Sequence, residues 1–212
     1  MNHWLANSKK NLLPLSKAAE FTEALREWYF TGEVDDYEVE EADIRCDLCE
    51  HTDLAHHFLI RNTLTSNSLL VGSSCILKFQ EIEVRDKHGR VITDPDRRRA
   101  ALDEALRAKI IETSLLPLRA LWKASRDQRN VIEFFAYEIK RDEGLSPDQL
   151  SDLLKILERY RIPYAAKLYK ISLRSNDAKS YVASISAHDF ERIAPAFTRP
   201  QLERAKDLRR EL

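Results

Sequence analysis

The chain holds three cysteines, and two of them form the turn Cys46-Asp-Leu-Cys49. The third, Cys75, follows the turn Val71-Gly-Ser-Ser. A Cys-x-x-Cys turn curls the backbone into a knuckle that lets two thiolates converge on one tetrahedral ion. A β-hairpin can carry the chain from there to a third thiolate at a helix start, where the helix dipole and free N–H groups favour the ionised sulfur. Knuckle, hairpin and helix-borne ligand follow one another in the order of a treble-clef zinc finger. A thiolate-rich set favours Zn²⁺, which takes four ligands when its role is structural.

Three thiolates are one ligand short. The usual fourth, a Cys or His one turn into the helix near Lys78 or Phe79, is absent. Candidates are His51, His56, His57 and, further along, His88. His51 lies too close to Cys49 to reach the same ion without strain. His56 and His57 start a strand and face opposite sides, so only one can turn toward the metal. His57 is the preferred choice, with water or a distant acid as alternatives. A thioredoxin-like redox pair would need the cysteines at a helix start after a strand. Here an acidic loop precedes them and a strand follows. Inert thiols are the remaining reading.

The elements that must position these groups follow from pattern. Phe58–Ile60 and Leu69–Val71 read as the two strands of a hairpin around a polar turn, and Cys75 opens a short helix. A second hairpin is predicted around Asp86-Lys-His-Gly89. Upstream, Lys17–Phe30 reads as a helix ending at Gly32, with Phe21, Leu25, Trp28 and Tyr29 on one face. Residues 33–45 read as extended or loop, with Tyr37, Val39 and Ile44 inward. Helices are predicted at 96–113, 115–125 around Pro117, 128–143, 147–160, 177–185, 187–193 and 199–212. Ser146-Pro-Asp-Gln149 is a capping box with proline at the first helical position. Lys170–Arg174 reads as a short strand. Four glycines in 212 residues suit a mostly helical chain, because glycine costs a helix interior about 1 kcal/mol. The expected fold is mainly α with a small zinc-stabilised β-hairpin module. Residues 1–93 would hold the N-terminal helix and the module, and 94–212 a helical domain.

The run Phe21…Glu27-Trp28, Cys46-Asp-Leu-Cys49, Phe58-x-Ile60-x-Asn62 and Val71-Gly-Ser-x-Cys75-Ile76…Phe79 resembles a pattern met in uncharacterised bacterial and phage-encoded proteins. Leu145-Ser146-x-x-Gln149 and the Leu-rich stretch closing at Arg159 resemble a second segment of such proteins. The likeness covers roughly residues 20–80 and, loosely, 145–160. It implies a zinc module on a helical body and no particular activity. The chain departs from the pattern at Glu50, where glycine is usual.

Charge adds a second line of reasoning. The net charge is −1, yet residues 1–50 carry 5 Lys/Arg against 12 Asp/Glu, and the remainder 29 against 23. The acids concentrate in 32–43, a solvated edge or a surface for a basic partner. Basic groups cluster at Arg97, Arg98 and Arg99, at Lys123, Arg126 and Arg129, and at Lys167, Lys170 and Arg174 with the C-terminal arginines. With Arg61 on the hairpin, these are candidate phosphate contacts. No Gly-rich phosphate loop, nucleophile elbow, His-Glu-x-x-His or deaminase signature occurs, and no catalytic set is read. Trp4, Trp28, Trp122, Phe134 and Phe135 read as core, with Trp4, Leu5, Leu12 and Leu13 as an alternative docking surface. No membrane-spanning run or signal peptide is read, which places the protein in the cytoplasm. The reading that results is a non-enzymatic, zinc-binding, nucleic-acid-associated accessory protein of bacterial or phage origin. A protein-binding adaptor or inhibitor is the alternative, and a metal-dependent nuclease using Asp94, Asp96 and the acids of 33–43 the third.

Overall fold

The computed structural model describes residues 3–35, 44–52, 54 and 56–210. Tyr37, Val39 and most of the acidic run lie outside the described residues. The described chain is mostly helical with a small antiparallel sheet, and it divides into two compact units, Met1–Lys109 and Ile110–Leu212. Among the described residues no helix is long and apolar enough to cross a membrane.

The first unit starts with α1 (His3–Leu12), to which the sequence pattern assigned no element. Its Trp4 ring stacks on Phe79 with centroids 4.7 Å apart, and Leu12 is fully buried. The N-terminal apolar residues therefore pack on their own unit. The helix predicted over 17–30 is mostly absent. Only α2 (Phe21–Leu25) is helical, and the chain then runs straight into β1 (Trp28–Asp35). The aromatic, β-branched run Trp28-Tyr-Phe-Thr31 suits a pleated strand, and Trp28 and Phe30 alternate inward. Gly32, expected to stop a helix, instead sits at φ +88° where the pairing register shifts between Phe30 and Val34. That is a bulge at a conformation glycine adopts freely.

β2 (His57–Asn62) pairs antiparallel with β1 and with β3 (Ser68–Val71), giving the order β1-β2-β3. This is the predicted hairpin with one more strand. α3 (Ser73–Lys78) carries Cys75. The predicted second hairpin shrinks to one bridge, Arg85 with Val91, closed by Asp86, whose carboxylate accepts the His88 and Arg90 N–H groups. Those amides and the Arg90 side chain outweigh partial desolvation and hold the Asp86 carboxyl down at about 2.

α4 (Pro95–Ala124) is one helix through Pro117, where two were predicted. It begins in the first unit, where Ala101, Leu102, Ala105 and Leu106 join the core, and ends in the second. The second unit continues with α5 (Arg129–Arg141), α6 (Pro147–Arg159), α7 (Asn176–Ser184), α8 (Ala187–Ile193) and α9 (Arg199–Arg210). The capping box at Ser146 and Gln149 forms as read. Leu150, Leu153, Leu154 and Leu157 of α6 are fully buried. The strand expected at 170–174 is a single bridge from Ile171 to Leu145. Gly144 is required there: at φ +91°, a Cβ would meet the backbone of 170–172 at 3.2 Å.

Two buried polar side chains organise the first unit. The Glu27 carboxylate accepts from the Lys17 N–H (2.9 Å), the Ala18 N–H (2.7 Å) and the Asn62 amide (2.7 Å). Asn62 in turn accepts from the Leu64 and Thr65 amides. Burial raises the Glu27 pKa, but these donors together outweigh it and hold the carboxyl below its ordinary value. A depressed folded pKa contributes stability above the unfolded pKa and loses it as pH falls through the folded one. Glu27→Gln is expected to cost about 1–3 kcal/mol in urea unfolding at neutral pH, because an amide replaces an acceptor facing N–H donors. The gap to wild type should narrow as the pH is lowered below about 4.

The second is Arg98, at 2 % exposure. Its guanidinium donates to the carbonyls of Ile76 (2.8 Å) and Ile82 (2.9 Å), with longer bonds to those of Phe79 and Ile92. The Ile76 carbonyl belongs to the last turn of α3, where helical carbonyls lack intrahelical partners. Desolvation lowers the Arg98 pKa, with the Glu81 charge opposing. Arg98→Leu should cost about 3 kcal/mol or more by stranding buried carbonyls, whereas Arg97→Ala should stay within about 0.5 kcal/mol, both read from urea midpoints.

Candidate metal centre

The knuckle is built by main-chain hydrogen bonds before any ion is considered. Cys46 N–H donates to the His51 carbonyl, and Glu50 N–H to the Cys46 carbonyl, both at 2.8 Å. Glu50 sits at φ +61°, the left-handed region in which glycine is at ease. The departure from glycine therefore keeps the backbone shape. The Glu50 carboxylate instead receives the Asn11 amide at 3.2 Å and Lys10 Nζ at 3.4 Å, both from α1. Asn7 and Asn11 also donate to the Cys49 and Leu48 carbonyls. The polar face of α1 thus clasps the knuckle.

On the other side, Asp47 acts as a strand neighbour. Its N–H donates to the Leu70 carbonyl at 2.9 Å, and its carboxylate accepts the Leu70 N–H at 2.7 Å. This pair locks the knuckle to β3, and β3 leads through Gly72 into α3. Gly72 is the residue before α3, and its N–H points to Cys46 Sγ at 3.5 Å. A side chain there would crowd Leu54, 3.1 Å from a Cβ.

The result is a group of three buried sulfurs. Cys46, Cys49 and Cys75 Sγ all lie within 4.8 Å of one another, and Cys46 and Cys75 Sγ are 3.6 Å apart. With metal–sulfur bonds of about 2.3 Å, a tetrahedral edge is about 3.8 Å, so this spacing fits a thiolate-bound ion. The electrostatics fit as well. The hydrogen bond with Cys75, helped by backbone N–H groups of Leu48, Cys49 and Gly72, outweighs burial and brings Cys46 down to about 5. The Cys46 hydrogen bond and burial push Cys75 up, and burial leads the rise at Cys49. Three sulfurs this close cannot all ionise without a cation, which is what a metal supplies.

Among the described residues no histidine joins this group. His57 is buried, and its Nε2 lies 3.0 Å from the Arg45 carbonyl, the residue just before Cys46. His51 and His88 are exposed. Of the basic residues read as phosphate contacts, Arg61, Arg97 and Arg99 are exposed in the first unit, and Lys123, Arg126, Lys170 and Arg174 in the second. Lys170 engages the Asp142 carbonyl and carboxylate. Arg98 is a correction: it is buried and its Nη groups donate to carbonyls, so it is not available to a phosphate. Trp122 and Phe134, read as core, are 40 % and 46 % exposed. The α1 amides and Asp47, which shape the knuckle, were not read from sequence; Asn7 and Asn11, four apart on a helix, were the available signal.

Comparison with known proteins finds no matching family model, no matching curated protein and no matching solved structure.

Elemental analysis of the purified protein is expected to give one metal ion per chain, lost in Cys46→Ser and Cys75→Ser. His57→Ala is expected to keep its metal, since the ring touches the Arg45 backbone rather than the sulfur group. Metal loss in His57→Ala alone would make that ring the fourth donor.

Proposed function

We propose that the protein is a non-enzymatic, zinc-stabilised binding protein whose ligand is nucleic acid. Zn²⁺ suits a buried, thiolate-rich set, and Cys46, Cys49 and Cys75 would hold it. Bound there, it neutralises the thiolates and fixes the knuckle, hairpin and helix; its role is structural. The likeness of the Cys-x-x-Cys and Val-Gly-Ser-x-Cys segments to bacterial and phage-encoded proteins belongs to the same reading.

The observation that carries the nucleic-acid part is a groove of about 770 Å³ in the first unit, between β1, the turn at 85–92 and the first turns of α4. Arg85, Lys87, Arg90 and Arg97 line it, against Asp86 and Glu104. Arg85 and Arg90 hold Glu83 and Asp86, while Lys87 and Arg97 make no salt bridge among the described residues. Arg85 also lies 5.6 Å from the Tyr29 ring centroid, which sets an aromatic face beside the charge. Ala100, Ala101, Ala105 and Ala108 keep the helical wall low. Cations around an open, partly aromatic groove match a phosphate backbone.

Metal-loaded protein is expected to be retained on immobilised DNA at low salt and released as salt rises. The double variant Lys87→Ala/Arg97→Ala should lower the slope of log affinity against log salt by about 2. No retention at low salt would sink the nucleic-acid reading. Salt-insensitive capture of one protein would replace it with the adaptor reading, and breakdown of DNA with Mg²⁺ present would replace it with the nuclease reading.

A further inference from the structure

We propose that the face shared by the C-terminal half of α4 and by α5 binds single-stranded nucleic acid, with Trp122 as its stacking surface. This rests on the nucleic-acid reading above and assigns it a second, chemically distinct site within the second unit.

The two helices enclose an open cavity of about 560 Å³. Its floor is apolar, from Leu118, Ile132 and Ala136, and Trp122 forms part of its wall. Trp122 stays 40 % exposed, although Leu118 and Leu121 beside it are buried. The sides are cationic. Arg119, Lys123 and Lys140 line the cavity with Glu133 as the one acid. Arg129 places its guanidinium 4.9 Å from the Trp122 ring centroid, and Arg126 is exposed in the turn between the helices. None of these five cations forms a salt bridge among the described residues. Elsewhere in the unit cations do find acids: Lys155 with Asp189, Arg192 with Glu158, and Lys206 with Glu203.

Charge and shape together select the occupant. Five cations beside one acid, none of them in a salt bridge among the described residues, repel one another across so small a face, and a polyanion relieves that repulsion. A duplex would satisfy the charges but not the indole, because paired bases are stacked inside it. An unpaired base offers a π face, and aromatic stacking beside a phosphate-tracking cationic rim is how single strands are held without sequence readout. The cavity is also within the size range of sites that bury a small organic group, here one base.

The test uses the full-length, metal-loaded protein with fluorescein-labelled oligo(dT) of about 12 nucleotides, within the span such sites cover. Anisotropy reads affinity, and intrinsic fluorescence reads stacking on unlabelled oligonucleotide. Trp28 is fully buried and Trp4 is stacked against Phe79, so Trp122 is the exposed reporter. Saturable binding that quenches tryptophan emission is expected, with single strand preferred over a duplex of equal length. Trp122→Ala should weaken binding about 10- to 100-fold, and Trp122→Phe should restore most of it. Arg119→Ala/Lys123→Ala should lower the salt slope with unchanged thermal unfolding. Single-strand binding indifferent to Trp122→Ala, or a preference for duplex, would overturn this site and leave the nucleic-acid reading standing. No binding of either form would overturn both. Binding of poly-glutamate in place of oligo(dT), or self-association that buries the indole, would overturn it in favour of a protein occupant.

Discussion

The Arg98 guanidinium is surrounded by main-chain carbonyls instead of acids, and the geometry of the first unit follows from that choice. The carbonyls of Ile76, Phe79, Ile82 and Ile92 come from the end of α3 and from the irregular segment that follows it. An irregular segment inside a small unit has few ladder partners for its carbonyls, and each one left without a donor costs free energy. The two Nη groups of one planar cation reach four of them at once. By fixing α3 it fixes the helix that bears Cys75. By fixing residues 82–83 it lets Glu83 pair with Trp28 and Phe30, along the side of β1 that β2 does not use.

The sulfur group is supported in the same manner, from outside. The α1 amides hold the carbonyls of the knuckle, Asp47 ties it to β3, and His57 reaches the residue before Cys46. Neither a three-stranded sheet nor a four-residue turn would keep three thiols this close unaided. The Glu27–Asn62 pair performs the matching task at the other end of β2, joining the loop before α2 to the hairpin turn. The unit is therefore stitched by polar groups, several of them buried, around a core that includes Trp28, Ile60 and Ile76.

What the sequence made legible was local. The capping box at Ser146, the hairpin before Cys75 and the gathering of the cysteines all depend on a few neighbouring residues, and each formed. What failed depended on tertiary context. Phe21, Leu25 and Trp28 fit a helical stripe, but Trp28 is also the first residue of an aromatic strand run, and pairing with Asn62 decided it. Arg98 looked like one of three equivalent arginines because nothing in the triplet marks which one faces inward. Its position four residues before Leu102, on the buried face of α4, was the only hint. Trp122 follows Leu115, Leu118 and Leu121, a stripe that already fills the core-facing side and leaves the next position at its margin. The break expected between 113 and 115 does not form, and α4 also runs through Pro117 as expected, since a long helix can lose one donor and continue.

The pairing of Asp47 with Leu70 has a consequence for how the chain lives among copies of itself. A strand edge with bare N–H and C=O groups is a template on which another chain can build. Here the outward-facing groups of Leu70 are taken by the loop that gathers the cysteines, and Asp47 provides a carboxylate where a neighbouring strand would offer a carbonyl. The loop that brings the sulfurs together also ends the sheet. Without that pairing the Leu70 N–H and C=O would stand bare, the kind of edge on which a second chain can add a strand.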